Sequence, residues 1–172
     1  ALLTMFIKHA LKTKRIVGHS YELVAPHTAL GELNADICEQ NLSSCQFCTA
    51  VYCVLDTATL ILTYSRAGHP APVLIHDDGE IGELQSPGSL LGVFPEETFT
   101  SAQVQLRRGD RLILYTDGAE ESLEFGPRAD RGLRDAFGRW ANIPREEMLL
   151  ELTTLIDTQR GQGPEDDDVT IC

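Results

Sequence analysis

The residues best suited to chemistry are aspartates placed beside strand-like segments. An apolar run over residues 112–115 leads through a threonine into Asp117 and Gly118, which puts a carboxylate at the end of a rigid element. An acidic run farther along the chain ends in Asp167 and Asp168, just before a second strand-like segment. Two such aspartates are suited to share a hard divalent cation. On the residues alone, an Asp-Gly turn and a solvated acidic loop are the simpler interpretation, and a metal site is the alternative.

Five cysteines offer a second kind of chemistry: Cys38, Cys45, Cys48, Cys53 and Cys172. Their number is odd and no secretion signal is visible, so free thiols in a reducing compartment are the simplest interpretation. Cys45 and Cys48 have a C-x-x-C spacing, but zinc needs four converging ligands. Because Cys48 and Cys53 fall in a predicted strand and Cys38 in a predicted helix, we expect buried structural thiols. Zinc binding or redox chemistry is the alternative.

The elements that must position these side chains follow from hydrophobic periodicity. Helical spacing predicts helices over residues 1–14 and 26–42, with a short connector at 20–24 between them. Apolar, β-branched and aromatic runs predict strands over residues 47–55, 60–64, 73–76, 99–106 (an edge strand) and 111–115. Turns are predicted at residues 56–58, 77–79 and 109–110, and two further helices at 131–140 and 145–158. This order predicts an α+β layered sandwich.

Composition restricts the function classes. The chain has 172 residues, 42% of them hydrophobic, which fits one domain with a real core. Its formal net charge of −12 argues against a nucleic-acid binder and against docking on anionic lipid, and it suits a cation site or a partner with a basic face. No apolar run approaches the ~18 residues that span a membrane. With no signal-peptide pattern at the start either, we expect a cytoplasmic protein.

Several sequence blocks, taken in order, resemble the SpoIIE/RsbU-type branch of the PPM (PP2C-like) phosphatases. They are residues 47–52 with 55–56, which resemble a first hairpin strand; 67–72, an A-G-H-x-P loop; 88–92, a short L-G segment; 109–121, a G-D-x-L-x-L-Y-T-D-G-x-x-E block; and 167–170, a closing D-D-x-T. The match covers nearly the whole chain, and the combination is specific although no single block is.

The resemblance implies an α-β-β-α sandwich of two antiparallel sheets flanked by helices. It also implies hydrolysis of phosphoserine or phosphothreonine on a protein, with two Mn²⁺ or Mg²⁺ ions that activate a water. By resemblance, Asp117 and Asp167 are carboxylate ligands of one shared ion, and Asp168 orients or supplements them. Gly118, Glu121 and His69 match motif positions that support the site. A structural role is the simpler expectation for Glu121 and His69, and the other histidines receive no role.

One departure from the family pattern concerns the start of the chain. The family also needs an upstream acidic motif and a D-x-x-G-H-G motif whose aspartate bridges both ions, and neither is present. We therefore expect residues 1–172 to form a single phosphatase domain truncated at the N-terminus and also at the C-terminus, without its N-terminal strands. Such a chain holds only part of the metal site, so we expect it to be inactive by itself.

The resemblance also implies partners and leaves alternatives. The substrate expected is a phosphorylated anti-anti-sigma-type protein of a bacterial partner-switching system. The resemblance also implies a sensor or receiver domain upstream in the same protein, and it is compatible with a homodimer. No nucleic acid and no membrane contact is expected from this segment. The competing hypothesis is a non-catalytic PP2C-like adaptor or sensor output domain. A third, resting only on the cysteines, is a zinc-binding regulatory domain.

Overall fold

The computed structural model describes residues 2–40, 47–118 and 137–159. The chain divides into two compact units. The first comprises Ala1–His69 and Gln85–Leu106, and the second comprises Pro70–Leu84 and Arg107–Cys172. In the described ranges, no helix has both the length and the apolar character needed to cross a membrane.

The first unit combines two helices with a three-stranded sheet. Its helices are α1 (Leu2–Ala10) and α2 (Pro26–Glu39). The sheet has the order β3-β4-β7 and is antiparallel throughout, with strands β3 (Ala50–Asp56), β4 (Ile61–Ala67) and β7 (Ala102–Gln105). The predicted edge strand is thus confirmed in a shorter form. The 56–58 turn is also confirmed, because the Asp56 carboxylate accepts the backbone N–H groups of Ala58 and Thr59.

The core of the first unit lies between α2 and the sheet. Pro26 begins α2, where its fixed φ suits the first turn of a helix. Leu30, Leu33 and Ile37 follow at helical spacing and are buried. They form one apolar cluster with Ala67, Leu91 and Phe99, against which residues of α1 also pack. The apolar stripe predicted for the second helix is therefore its buried face, and the helix ends at Glu39, with Leu42 outside the described residues.

A hairpin between α1 and α2 corrects the sequence prediction. Strand β1 (Lys14–Val17) pairs with β2 (Ser20–Leu23), where a helix end and a connector had been predicted. Ile16 lies opposite Tyr21 on one face, and these side chains are 83% and 61% exposed. All eight residues of the hairpin are exposed. Because neither face is buried, the hairpin leaves no period-2 pattern of apolar residues in the sequence.

The second unit is built around a smaller sheet of order β6-β5-β8. Its strands are β5 (Val73–Ile75), β6 (Ile81–Glu83) and β8 (Arg111–Ile113), and both pairings are antiparallel. The last helix, α3 (Arg145–Gln159), follows Pro144 as predicted, and residues 137–140 are also helical. Strand β6 had not been predicted, and of the predicted helix 131–140 only the last four residues are described.

Buried aromatic and aliphatic side chains form the core of the second unit. They are Val73, Ile75, Ile113, Tyr115, Phe137, Trp140 and Met148. The central strand β5 is buried along its whole length, whereas β8 is an outer strand of the sheet that the described residues form. Within each unit, helices and antiparallel strands share a core, so the mixed α+β class is confirmed.

Candidate metal site

Asp117 lies where the sequence places it, just after the strand that leads into the predicted site. Ile113 and Tyr115 are buried in the core of the second unit, whereas Asp117 is exposed. Residues 117 and 118 are helical, and the N–H of Gly118 donates to Asp117 Oδ1 over 3.2 Å. Among the described residues, no cationic side chain forms an ion pair with Asp117. An exposed carboxylate two residues beyond a buried anchor can present oxygen to a hard cation.

The anchor that fixes this end of the strand is an aromatic cluster. The ring centroids of Tyr115 and Phe137 are 6.0 Å apart, and those of Phe137 and Trp140 are 5.5 Å apart in an edge-to-face arrangement. Trp140 Nε1 donates to Glu151 of α3 over 2.9 Å. Arg111 of β8 donates to the backbone oxygen of Trp140 over 2.9 Å. The strand is therefore tied to the helical segment at its beginning and just beyond its end.

His69 belongs to the loop after β4, in the first unit. Its side chain is half-buried, and its backbone oxygen accepts Arg66 Nε over 2.9 Å. Arg66 also reaches Gln85, with 2.6 Å between Nη1 and Oε1. The preceding Gly68 has φ +64, and a Cβ there would lie 2.5 Å from Leu90 Cδ2. The A-G-H-x-P segment is thus held by backbone and arginine contacts, and a supporting role for the His69 imidazole stays a prediction.

The remaining predicted site residues are Glu121, Asp167 and Asp168, and they lie outside the described residues. Their meeting with Asp117 therefore stays a prediction. Within residues 2–40, 47–118 and 137–159, no three His, Cys, Asp or Glu side chains converge as a metal site. Of the predicted ligands the structure describes Asp117, whose carboxylate oxygens suit Mn²⁺ or Mg²⁺.

The thiols differ from the carboxylates in their surroundings. Cys38, Cys48 and Cys53 are free and partly buried, while Cys45 and Cys172 lie outside the described residues. Burial raises the pKa of the Cys53 thiol to about 11, and it also raises the pKa of Cys48. A raised pKa lowers the thiolate fraction at neutral pH, and the thiolate is the form that binds metals and attacks electrophiles.

Two sets of buried polar contacts were not predicted from the sequence. Asn34, 1% exposed, bridges α2 to a loop: its Nδ2 donates to the oxygen of Phe94, and its Oδ1 accepts the N–H of Gly92, both over 2.8 Å. Asp110 and His76 form a pair in the second unit. The only signal for Asn34 is a polar residue inside an apolar stripe. The Asp110–His76 contact joins segments that no local pattern connects.

Comparisons with known proteins identify the family of the chain. The sequence profile of the family described as Stage II sporulation protein E (SpoIIE) matches residues 1–172. Phosphoserine phosphatase RsbP of Bacillus subtilis is 28% identical over 122 residues, covering 71% of this chain and 29% of RsbP. Phosphoserine phosphatase RsbU of the same organism is 28% identical over 122 residues, covering 70% of this chain and 35% of RsbU. The chain thus spans about a third of the length of these relatives.

A solved structure supports the fold independently. The SiaA-PP2C domain of Pseudomonas aeruginosa superimposes with a TM-score of 0.76 at 23% identity, covering 99% of this chain and 68% of that one. At this identity the likeness concerns the fold. The PP2C-like fold predicted from the sequence blocks is therefore confirmed.

Proposed function

The chain belongs to the SpoIIE family of PP2C-like phosphatases, and from this premise we propose that it is part of a metal-dependent protein serine/threonine phosphatase of a bacterial signalling regulator. The observation that carries the proposal is the exposed Asp117 carboxylate, which follows β8 and the buried Tyr115 along the chain. The names of RsbP and RsbU, both phosphoserine phosphatases, support the reaction class.

In this proposal each aspartate has a separate task. Asp117 and Asp167 hold one shared Mn²⁺ or Mg²⁺ ion, and Asp168 orients or supplements them. Two bound ions supply an activated water and neutralise charge on the phosphoryl oxygens. The chain's own contribution is to hold the ligand oxygens at fixed positions, which is what the buried Tyr115 anchor does for Asp117.

In this proposal the carboxylate that bridges two ions belongs to the D-x-x-G-H-G motif, which the sequence of residues 1–172 does not contain. We place that bridging carboxylate, together with further strands of the domain, in a part of the protein outside residues 1–172. The share of the SiaA-PP2C chain that is covered, 68%, leaves room for both. A sensor or receiver domain in the same protein and a cytoplasmic location complete the proposal.

The substrate class proposed is a phosphoserine- or phosphothreonine-bearing protein of the anti-anti-sigma type. The names of RsbP and RsbU support phosphoserine as the group that is hydrolysed, and the family resemblance implies that a protein carries it. The net charge of −12 sets a condition, because an acidic domain repels a phosphoprotein unless bound cations or a basic face of the substrate offset the repulsion.

The test combines metal binding with turnover in the full-length protein. We expect Asp117→Asn to weaken Mn²⁺ binding in calorimetry by about tenfold or more, since even partners of metal ligands are worth about 10–100-fold. Phosphate release from a phosphoserine protein should fall with it. The matched control is Asp78→Asn, which removes an exposed carboxylate of the second unit that pairs with Arg107 over 3.1 Å.

Two outcomes would favour the other hypotheses. Unchanged Mn²⁺ affinity in Asp117→Asn, with the protein folded, would overturn the phosphatase proposal and leave the adaptor. About one zinc per chain in elemental analysis would support the zinc-binding regulatory domain instead.

A further inference from the structure

Asp110 is a buried carboxylate at the start of the strand that leads to Asp117. Its side chain is 2% exposed. Oδ2 lies 2.9 Å from His76 Nδ1 and 2.8 Å from the backbone nitrogen of Arg107. Oδ1 lies 3.3 Å from the backbone nitrogen of Asp77. In the tautomer that carries its proton on Nδ1, His76 donates to Asp110 together with the two backbone N–H groups.

These contacts join two turns of the second unit. Burying a carboxylate is costly unless donors satisfy it, and here three donors do so. His76 and Asp77 follow β5, whereas Arg107 and Asp110 precede β8. The two turns also lie close together. Gly109 has φ +94, and a Cβ at this position would lie 2.7 Å from Asp77 Oδ1. The carboxylate therefore fixes where the chain enters β8.

Strand β8 needs such a fixed entry because it is short and, among the residues that the structure describes, pairs with β5 alone. It contributes only three residues to the ladder, paired with three residues of β5. Beyond the ladder, Tyr115 is anchored in the aromatic cluster, and Asp117 follows two residues later. A shift of the entry would move this short segment as a whole, including the carboxylate of Asp117.

We propose that the Asp110–His76 pair is a positioning element for the metal ligand Asp117 and acts through β8. This inference rests on the proposed function, since it assigns Asp117 to the metal. The pair does not touch the ion, and its contribution is to keep β8 in one position along β5. The Asp117 carboxylate is then held in its binding position before the ion binds.

The experiment compares Asp110→Asn and His76→Gln with the control Asp78→Asn in the full-length protein. Asp78 lies in the same turn, but its side chain is 59% exposed. Calorimetry with Mn²⁺ alone should give a Kd raised about tenfold in both test variants and unchanged in the control. Without metal, hydrogen exchange at the amides of residues 113–117 should be faster in both test variants.

A readout that overall destabilisation would not produce is the metal dependence of turnover. With the variants kept well below their melting temperatures, raising Mn²⁺ should restore kcat, and KM for the phosphoprotein should stay unchanged. If Asp110→Asn does not fold, His76→Gln decides alone, because it leaves both backbone donors on Asp110.

The failures of the two proposals are distinguishable. Unchanged Mn²⁺ affinity in folded Asp110→Asn and His76→Gln, while Asp117→Asn loses binding, overturns the positioning role and leaves the phosphatase proposal intact. Unchanged affinity in Asp117→Asn overturns both.

Discussion

The partly buried thiol of Cys53 gives a direct chemical test of its environment. Burial raises its pKa from 9.0 to about 11, so roughly one thiol in several thousand is ionised at pH 7.5. We expect slow alkylation of the folded protein by iodoacetamide, rising about tenfold per pH unit up to pH 10. Peptide mass spectrometry at several pH values measures this, with urea-unfolded protein as control. Equally fast labelling of Cys53 in folded and unfolded protein would contradict the prediction.

The same thiol sets a direction for stability against pH. The folded state holds the Cys53 proton more tightly than the unfolded state does, because its pKa is the higher of the two. The contribution of this group to stability is therefore fully present below pH 9 and is lost as the pH rises toward 11.

Replacing Asn34 should lower the stability of the first unit. In Asn34→Leu the N–H of Gly92 and the oxygen of Phe94 lose their partners, while the helix keeps its apolar stripe. We expect the free energy of unfolding to fall by about 1–3 kcal/mol, the cost of an unsatisfied buried polar group. Urea denaturation measures it, with Glu39→Gln on the exposed side of α2 as control. A loss no larger than that of the control would show that the bridge contributes nothing.

At the level of single residues, the sequence predicts a role when that role depends on neighbouring residues in the chain. Asp117 could be placed because a continuous apolar run predicts a strand and the next residues are an aspartate and a glycine. Asn34 could not, because a polar residue in an apolar stripe shows its role only through the loop it meets. The contact between His76 and Asp110 depends on the pairing of β5 with β8, which is set by tertiary structure.

At the level of elements, burial decides which predictions succeed. Helix α2 buries one face, and β4 buries Leu62 and Tyr64 at alternate positions, so their periodicity is visible in the sequence. The β1–β2 hairpin buries neither face, and apolar residues up to Leu11 extended the predicted first helix beyond its end at Ala10. Strand β6 is three residues long with Gly82 at its centre, so its sequence shows no strand pattern. Its extended conformation depends on the pairing with β5.

Two glycines in the first unit should respond to alanine in opposite directions. A Cβ at Gly31, inside α2, would meet nothing within 4 Å, whereas one at Gly88 would overlap the backbone oxygen of Arg66. We expect Gly31→Ala to raise the free energy of unfolding by up to about 1 kcal/mol, since alanine favours helix. Gly88→Ala should lower it by about 1–3 kcal/mol or more. Urea denaturation of the pair measures both, and changes of the same sign would contradict the packing described.

At the level of the whole molecule, the prediction concerns activity of residues 1–172 by themselves. We expect this chain to release little or no phosphate from a phosphoserine protein, even in excess Mn²⁺. In the proposed mechanism Asp117 and Asp167 hold one ion, and a second ion and a bridging carboxylate are needed as well. The measurement is a time course for this chain beside the full-length protein. Equal turnover by both would mean that the metal site has been misplaced.

The exposed β1–β2 hairpin should tolerate the insertion of additional residues in its turn. Its turn has φ +64 at Gly18 with open space around it, and its base is closed by the N–H of Val24 donating to Thr13. A short peptide tag inserted between Gly18 and His19 should cost about 1 kcal/mol of unfolding free energy, as expected for lengthening a loop. An epitope or fluorophore carried there would report on α1 and α2 while both cores stay unmodified.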